Sequence, residues 1–280
     1  MILVLKGADF SADNLGKVQV TTELHPFTKS AIQASGNTTL TSEQKSALDA
    51  LFLAMGVDGS NNVMSKMRYM YLPILCNDVT KSLVNYASVD FNVDKVLDPN
   101  QWELRNHGLV GKNNSSIDAI TLDLASDKAL FGDNFTEMFL RTEPYANDAN
   151  NLSNITGIVR SGEFLGARED VNIYGIYSAS TYGYSNLDTS LKPSGVVQAN
   201  GYSIRGTTDN DWRLEGAVYK DRTVTITSLT HGQNETVYIF GLETKNTENP
   251  YGALIMGEGI TSEQFHNIMD RLDDLYKSFL

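Results

Sequence analysis

Apolar positions recur at helical spacing in two stretches of the chain, and both stretches begin alike. Leu40-Thr41-Ser42-Glu43-Gln44 opens the first and Ile260-Thr261-Ser262-Glu263-Gln264 the second. In each, the threonine can accept a hydrogen bond from a first-turn amide and the glutamine three residues on can return one, a capping box. Leu48, Leu51, Phe52 and Met55 then form a stripe that Gly56 ends, while Phe265, Ile268, Met269, Leu272, Leu275 and Tyr276 form a longer one reaching the C-terminus. Two helices are predicted, each burying one face. Their shared start reads as two uses of one good cap rather than as a duplication, because nothing beyond the first turn matches. Residues 64–84 are apolar without a clean period, and Pro73 would interrupt any helix crossing them. A short helix or turn leading into a larger domain is the expectation there.

From about residue 85 the period changes to short alternating segments separated by Asn, Gly, Asp and Ser. Strands are predicted at 117–124, 136–141, 155–164, 171–178, 195–204, 213–219, 223–228, 236–242 and 253–256. Thr223-Val224-Thr225-Ile226-Thr227 alternates most cleanly, with one wet face. It follows the turn Lys220-Asp221-Arg222, so 213–219 and 223–228 are expected to pair as a hairpin. No helical pattern separates consecutive strands, which points to an antiparallel sandwich rather than to βαβ units. The chain therefore divides into residues 1–84, with one capped helix, and residues 85–280, a sandwich closed by the terminal helix.

Composition narrows the partners. Of 280 residues 41% are hydrophobic and 20% charged, which excludes a disordered chain or a coiled coil. The net charge of −12 works against nucleic acid or an anionic membrane as the main partner. No window approaches the roughly 20 apolar residues of a membrane span, and Met1-Ile2-Leu3-Val4-Leu5-Lys6 lacks the features of a secretory signal. Cys76, the single cysteine, excludes an internal disulfide and fits folding in a reducing compartment.

The order of elements near the C-terminus carries a resemblance. A strand ending in Tyr219-Lys220-Asp221-Arg222, the Thr/Val strand, Val237-Tyr238-Ile239-Phe240, a strand starting Tyr251-Gly252-Ala253, and then Met256-Gly257-Glu258-Gly259-Ile260-Thr261-Ser262-Glu263-Gln264 with an amphipathic helix follow one another. This resembles the end of a concanavalin A-like, laminin-G-like jelly roll, many copies of which sit in fibre and spike proteins of tailed bacteriophages. The similarity is best over residues 210–280 and extends to 85–280. Leu40 to Val84, with Arg68-Tyr69-Met70-Tyr71-Leu72-Pro73-Ile74-Leu75, and the opening Lys6-Gly7-Ala8-Asp9-Phe10-Ser11 are similar to segments in structural proteins of phages that infect gut Bacteroidetes. The resemblance implies a mainly β, antiparallel jelly-roll sandwich with an N-terminal attachment segment. It further implies a virion component assembled in the host cytoplasm, in contact with other virion proteins and commonly a homotrimer.

Candidate chemistry is sparse. A glycan-cleaving enzyme of this fold class would carry acids spaced Glu-x-Asp-x-x-Glu, about 5 Å apart, as nucleophile and acid/base. That spacing is missing, and Glu163, Glu169, Asp170 and Glu215 read as surface carboxylates. His25, His107, His231 and His266 are scattered without a metal-binding pattern, and Cys76 reads as a buried small hydrophobe. No cofactor is expected. A structural calcium stays open, with Asp148, Asn150 and Asn151, or Asp209 and Asp211, as candidate ligands, although turn chemistry is the plainer account of both clusters. Tyr174, Tyr177, Tyr182 and Tyr184 run into Ser, Thr, Asn and Gly-rich loops, with Trp212 and Tyr219 further on. Aromatic faces stack on sugar rings while small polar groups hold hydroxyls. Tyr174, Tyr182, Tyr184, Trp212 and Tyr219 are therefore the candidate ligand residues, for a glycan or a protein partner, with core packing as the plainer alternative.

The expected function is a non-enzymatic virion component, a fibre or appendage that displays a lectin-like sandwich for adhesion, with host surface polysaccharide as the candidate target. A free carbohydrate-binding module, a glycan-cleaving enzyme of the same fold and a ligand-free capsid-decorating protein are the alternatives. Met55, Met64, Met67, Met70 and Tyr71 offer more apolar surface than one short helix hides, so attachment or oligomer contacts are expected of the N-terminal segment.

Overall fold

A computed structural model of the chain describes residues 23–112, 120–122, 135–143, 153–154, 156–160, 163–165, 167–169, 174–176, 202–205, 211–214, 222–223, 236–242, 245–246, 250–258 and 260–280. The helices are α1 (Pro26–Ser35), α2 (Ser42–Ala54), the single turn α3 (Val63–Lys66) and α4 (Ser262–Lys277). The strands are β1 (Met67–Tyr71), β2 (Trp102–Arg105), β3 (Gly108–Gly111), β4 (Ile120–Leu122), β5 (Phe135–Arg141), β6 (Ser153–Asn154), β7 (Thr156–Arg160), β8 (Glu163–Leu165), β9 (Ala167–Glu169), β10 (Tyr174–Ile176), β11 (Tyr202–Arg205), β12 (Asp211–Leu214), β13 (Arg222–Thr223), β14 (Thr236–Ile239), β15 (Gly241–Leu242), β16 (Lys245–Asn246) and β17 (Tyr251–Glu258).

Both capping boxes form. Thr41 Oγ1 accepts from the Gln44 amide while Gln44 Oε1 accepts from the Thr41 amide, and Thr261 and Gln264 repeat the arrangement. The two helices so started pack against each other, and Gln44 Nε2 donates to the Ser278 carbonyl, so the start of α2 meets the end of α4. Met55 closes α2, and Gly56 follows in the left-handed region at φ 83°.

The strands form a mixed helix and antiparallel-sheet architecture around β17. On one side β17 pairs with β5 over most of its length, and on the other with β1 (Met70 opposite Ile255, Tyr71 opposite Leu254) and, at Tyr251, with β3. β2 joins β3 through a tight turn in which Asn106 and His107 take φ 46° and 65°, the two left-handed positions of a type I′ hairpin. The sheet continues through β11 to β12 and β13. β12 and β13 are antiparallel neighbours, Asp211 opposite Thr223 and Trp212 opposite Arg222, so Arg222 lies in a strand and not in the expected turn Lys220-Asp221-Arg222, and the pairing is shifted from the expected hairpin of 213–219 with 223–228; residues 215–221 lie outside the described residues.

Pleating gives the central sheet two buried faces, as expected of a strand as apolar as Tyr251-Gly252-Ala253-Leu254-Ile255-Met256. Met67, Met70, Met138, Leu140, Ala253 and Ile255 share one core with Leu48, Leu51, Phe52 and Met55 of α2 and Phe265, Ile268, Met269, Leu272 and Leu275 of α4. Tyr69, Tyr71, Phe139, Leu254 and Met256 line the opposite face and are buried as well. There Tyr251 meets Phe139 edge-on at 5.5 Å, and Phe240, just after β14, at 6.2 Å. β14 belongs to a second sheet ordered β4-β14-β7-β8, so Phe240 joins the two sheets.

The N-terminal region departs from the sequence reading. It holds two long helices rather than one capped helix, and residues 64–84 contain, besides the expected short helical turns (most of α3, and the 3₁₀ turns Pro73–Leu75 and Val79–Lys81), the strand β1, a full member of the central sheet. Met55, Met67, Met70 and Tyr71 are at most 5% exposed and Met64 packs half-buried against the core, so this apolar surface is consumed inside the fold. The core runs continuously across the expected division at residue 84. Pro26-Phe27 hid α1 from sequence inspection because its start borrows long-range partners: Asp49 Oδ1, on α2, accepts from the His25 amide at 2.8 Å and from Thr28 Oγ1 at 2.6 Å. A carboxylate at a helix N-terminus also complements the helix dipole.

Candidate functional site

The candidate aromatic residues do not form one described cluster. Tyr174 opens β10 opposite Glu169 of β9, in a small sheet ordered β10-β9-β6. Trp212 lies in β12, opposite Arg222, in the sheet that contains β17. The two thus sit in separate sheets. Tyr177, Tyr182, Tyr184 and Tyr219 lie outside the described residues, as do Asp148, Asn150, Asn151 and Asp209, while Asp211 begins β12. Of the carboxylates weighed for catalysis, Glu163 and Glu169 stand on β8 and β9, and Asp170 and Glu215 are outside the described residues.

Three polar arrangements are fully described. The first lies where the end of α4 meets the β2–β3 turn. Arg105 reaches Glu143 with two parallel bonds, Nε to Oε1 at 2.9 Å and Nη2 to Oε2 at 3.0 Å, and Asn106 Nδ2 donates to the same carboxylate. The Tyr276 hydroxyl donates to the Thr142 carbonyl at 2.9 Å, and the His107 ring lies 4.9 Å from that of Phe279. Burial, and then the Glu143 and Asp273 carboxylates, hold the Tyr276 phenol above its ordinary value. Arg105 and Glu143 neutralise each other, so this cluster clamps the helix end to the hairpin and presents a mixed polar and aromatic surface. Asn106-His107-Gly108 between Trp102-Glu103-Leu104-Arg105 and Leu109-Val110 is the turn signal that would have located it in the sequence.

The second surrounds Cys76, which follows the 3₁₀ turn Pro73–Leu75. Its thiol points at the carbonyls of Lys81 (3.4 Å) and Leu72 (3.8 Å), and burial pushes it up to about 12. A thiol held so far above neutrality is a poor nucleophile, which agrees with its reading as a small hydrophobe. The Tyr86 hydroxyl lies near enough to lower Cys76 a little against that burial and to be raised by it, yet neither it nor Ser82 Oγ has a hydrogen-bond partner of good geometry.

The third joins β1 to residues 85–94. Asn85 Nδ2 and the Tyr71 hydroxyl both donate to Asp94 Oδ2, at 3.1 and 2.6 Å. Tyr71 is raised far above its ordinary value by burial first and by the Asp94 charge second. No sequence pattern announces this group, because its members are distant in the chain.

Of the remaining histidines, His25 Nδ1 accepts from the Phe27 amide, the His266 ring lies beside Phe265, and His231 lies outside the described residues. Among the described residues no group of three or more His, Cys, Asp or Glu is placed to hold a metal ion, and no helix is long and apolar enough to cross a membrane. Comparison with protein-family models, with curated proteins and with solved structures found no match for this chain.

Proposed function

We propose that the chain is a non-enzymatic component of a tailed-phage virion, a fibre or appendage protein whose jelly-roll sandwich is displayed for adhesion to a surface glycan or a protein partner. The observation that carries this reading is the closing unit: β17, followed by a boxed helix start at Thr261 and by α4 laid on the same sheet. It is the order of elements in which the sequence resembles the concanavalin A-like jelly rolls of phage fibres. The contact of Phe240 with Tyr251 supports a second layer over the aromatic face of the central sheet, as a sandwich requires. Because Met55, Met67, Met70 and Tyr71 are buried, trimer contacts in this reading come from other surfaces.

The test is a mass measurement by light scattering combined with a glycan array. A stable trimer whose glycan signal falls in Trp212→Ala is the expected result. A monomer that binds one glycan would assign a free carbohydrate-binding module instead, and sugar release lost in Glu163→Gln or Glu169→Gln would assign an enzyme.

A further inference from the structure

β1 is bonded to β17 along one edge, and irregular chain covers the other. Three of its backbone groups point to that covered edge: the Arg68 carbonyl, the Met70 amide and the Met70 carbonyl. Residues 85 and 86 take all three. Asn85 Oδ1 accepts from the Met70 amide at 3.1 Å, Asn85 Nδ2 donates to the Arg68 carbonyl at 3.1 Å, and the Tyr86 amide donates to the Met70 carbonyl at 2.8 Å. The carboxamide, with donor and acceptor on one planar group, thereby supplies what the backbone of an adjoining strand would offer.

Asn85 is itself fixed from several sides. Its backbone amide donates to the Asn92 carbonyl at 2.8 Å, Oδ1 also accepts from Ala87, and Nδ2 also donates to Asp94. A bridge between Val84 and Val93 and a bond from the Asp94 amide to the Leu83 carbonyl close the segment into a loop. Phe91, at φ 48°, is held in that left-handed conformation with its ring 5.1 Å from Phe27 and 6.0 Å from Tyr86. A bulky residue at positive φ persists only where its surroundings over-determine it.

An open edge strand offers unpaired amides and carbonyls to any other extended chain, and proteins cover such edges with loops. β1 reads Met-Arg-Tyr-Met-Tyr, with one charge, no proline and two aromatic residues, a composition suited to strand pairing. Paired antiparallel about a two-fold axis, the same strand from two copies would satisfy both edges alike. We propose that segment 84–94 is an edge guard, which keeps β1 from pairing with β1 of a second copy of the chain, and that the guard depends on the Asn85 carboxamide.

The experiment uses full-length Asn85→Ala and Asn85→Asp. Alanine removes both side-chain bonds to β1 and leaves the bond from Tyr86. Aspartate keeps the acceptor for Met70 but loses the donor to Arg68 and sets a second carboxylate against Asp94. In dilute Asn85→Ala the Met70 amide exchanges at least about tenfold faster than in the wild type. On concentration, sedimentation velocity shows a species of about twice the wild-type mass and protection returns over residues 67–71. Aspartate gives the same behaviour at neutral pH. A Met70 amide that opens while sedimentation stays at the wild-type mass across the concentration range overturns the proposal. So does failure of both variants to fold, because Asn85 then belongs to the core rather than to a guard.

Discussion

Replacing Gly257 by alanine tests how closely β1 lies against β17. A Cβ at this position would sit 2.4 Å from the Lys66 carbonyl oxygen and 2.6 Å from the Met67 Cα. Both clashing atoms are backbone, so no side chain can swing aside, and relief requires the α3–β1 junction to move by roughly an ångström from a core packed at crystal-like density. Gly257 is not among the glycines at positive φ, so the cost is steric and carries no left-handed strain. Over-packing of this kind typically costs about 1–3 kcal/mol, and the rigid partners place Gly257→Ala at about 3. At about 2–4 °C per kcal/mol, the midpoint of thermal unfolding should fall by about 6–12 °C. Gly36→Ala is the control. It has open space around the added carbon but φ 71°, so it should lose only about 1–2 kcal/mol from the left-handed backbone. Calorimetry, with urea unfolding as a check, reads both. A Gly257→Ala variant within about 0.5 kcal/mol of the wild type would refute the close approach and the strand pairing that creates it.

Other changes follow from the same contacts. Asp49→Ala leaves the His25 amide and the Thr28 hydroxyl without their acceptor and should cost about 1–3 kcal/mol, with faster hydrogen exchange confined first to α1. Tyr86→Phe removes a buried hydroxyl that has no hydrogen bond, so its stability at pH 7 should stay within about 0.5 kcal/mol of wild type, whereas Tyr71→Phe forfeits the bond to Asp94 and should lose about 1 kcal/mol. Cys76, raised by burial from 9.0 to about 12, and Tyr71 and Tyr86, also raised by burial, keep protons that the unfolded chain would release in alkali. Their stabilising effect is therefore complete below about pH 9 and is lost as pH rises through the folded values. Urea midpoints should decline steadily above pH 9, and Cys76→Ala should flatten the decline; an unchanged slope would contradict the burial assigned to the thiol.

Local signals were legible where they are self-contained. The Thr41–Gln44 and Thr261–Gln264 boxes lie within one turn, and the stripes of α2 and α4 face a single core, so pattern and structure agree. β1 was hidden because both its faces are buried: Met67 and Met70 look toward the helices while Tyr69 and Tyr71 look away, which erases alternation. α1 was hidden because its start is stabilised by Asp49, 24 residues from His25. For the candidate ligand residues, the aromatic-rich composition gave no information on which strands adjoin, and Tyr174 and Trp212 stand in different sheets. The Asn85 arrangement was illegible for the same reason, since an asparagine before a tyrosine looks like turn chemistry until Met70 is placed beside it.

One physical statement underlies the rest: residues on both sides of position 84 are held by a single core in which α2, β1, β5, β17 and α4 depend on one another. Native-state hydrogen exchange of the full chain in increasing denaturant tests it most directly. Amides of α2, β1, β17 and α4 should open together, with one free energy and one denaturant slope. Exchange of α2 and β1 through a lower-energy opening that leaves β17 and α4 protected would contradict the account.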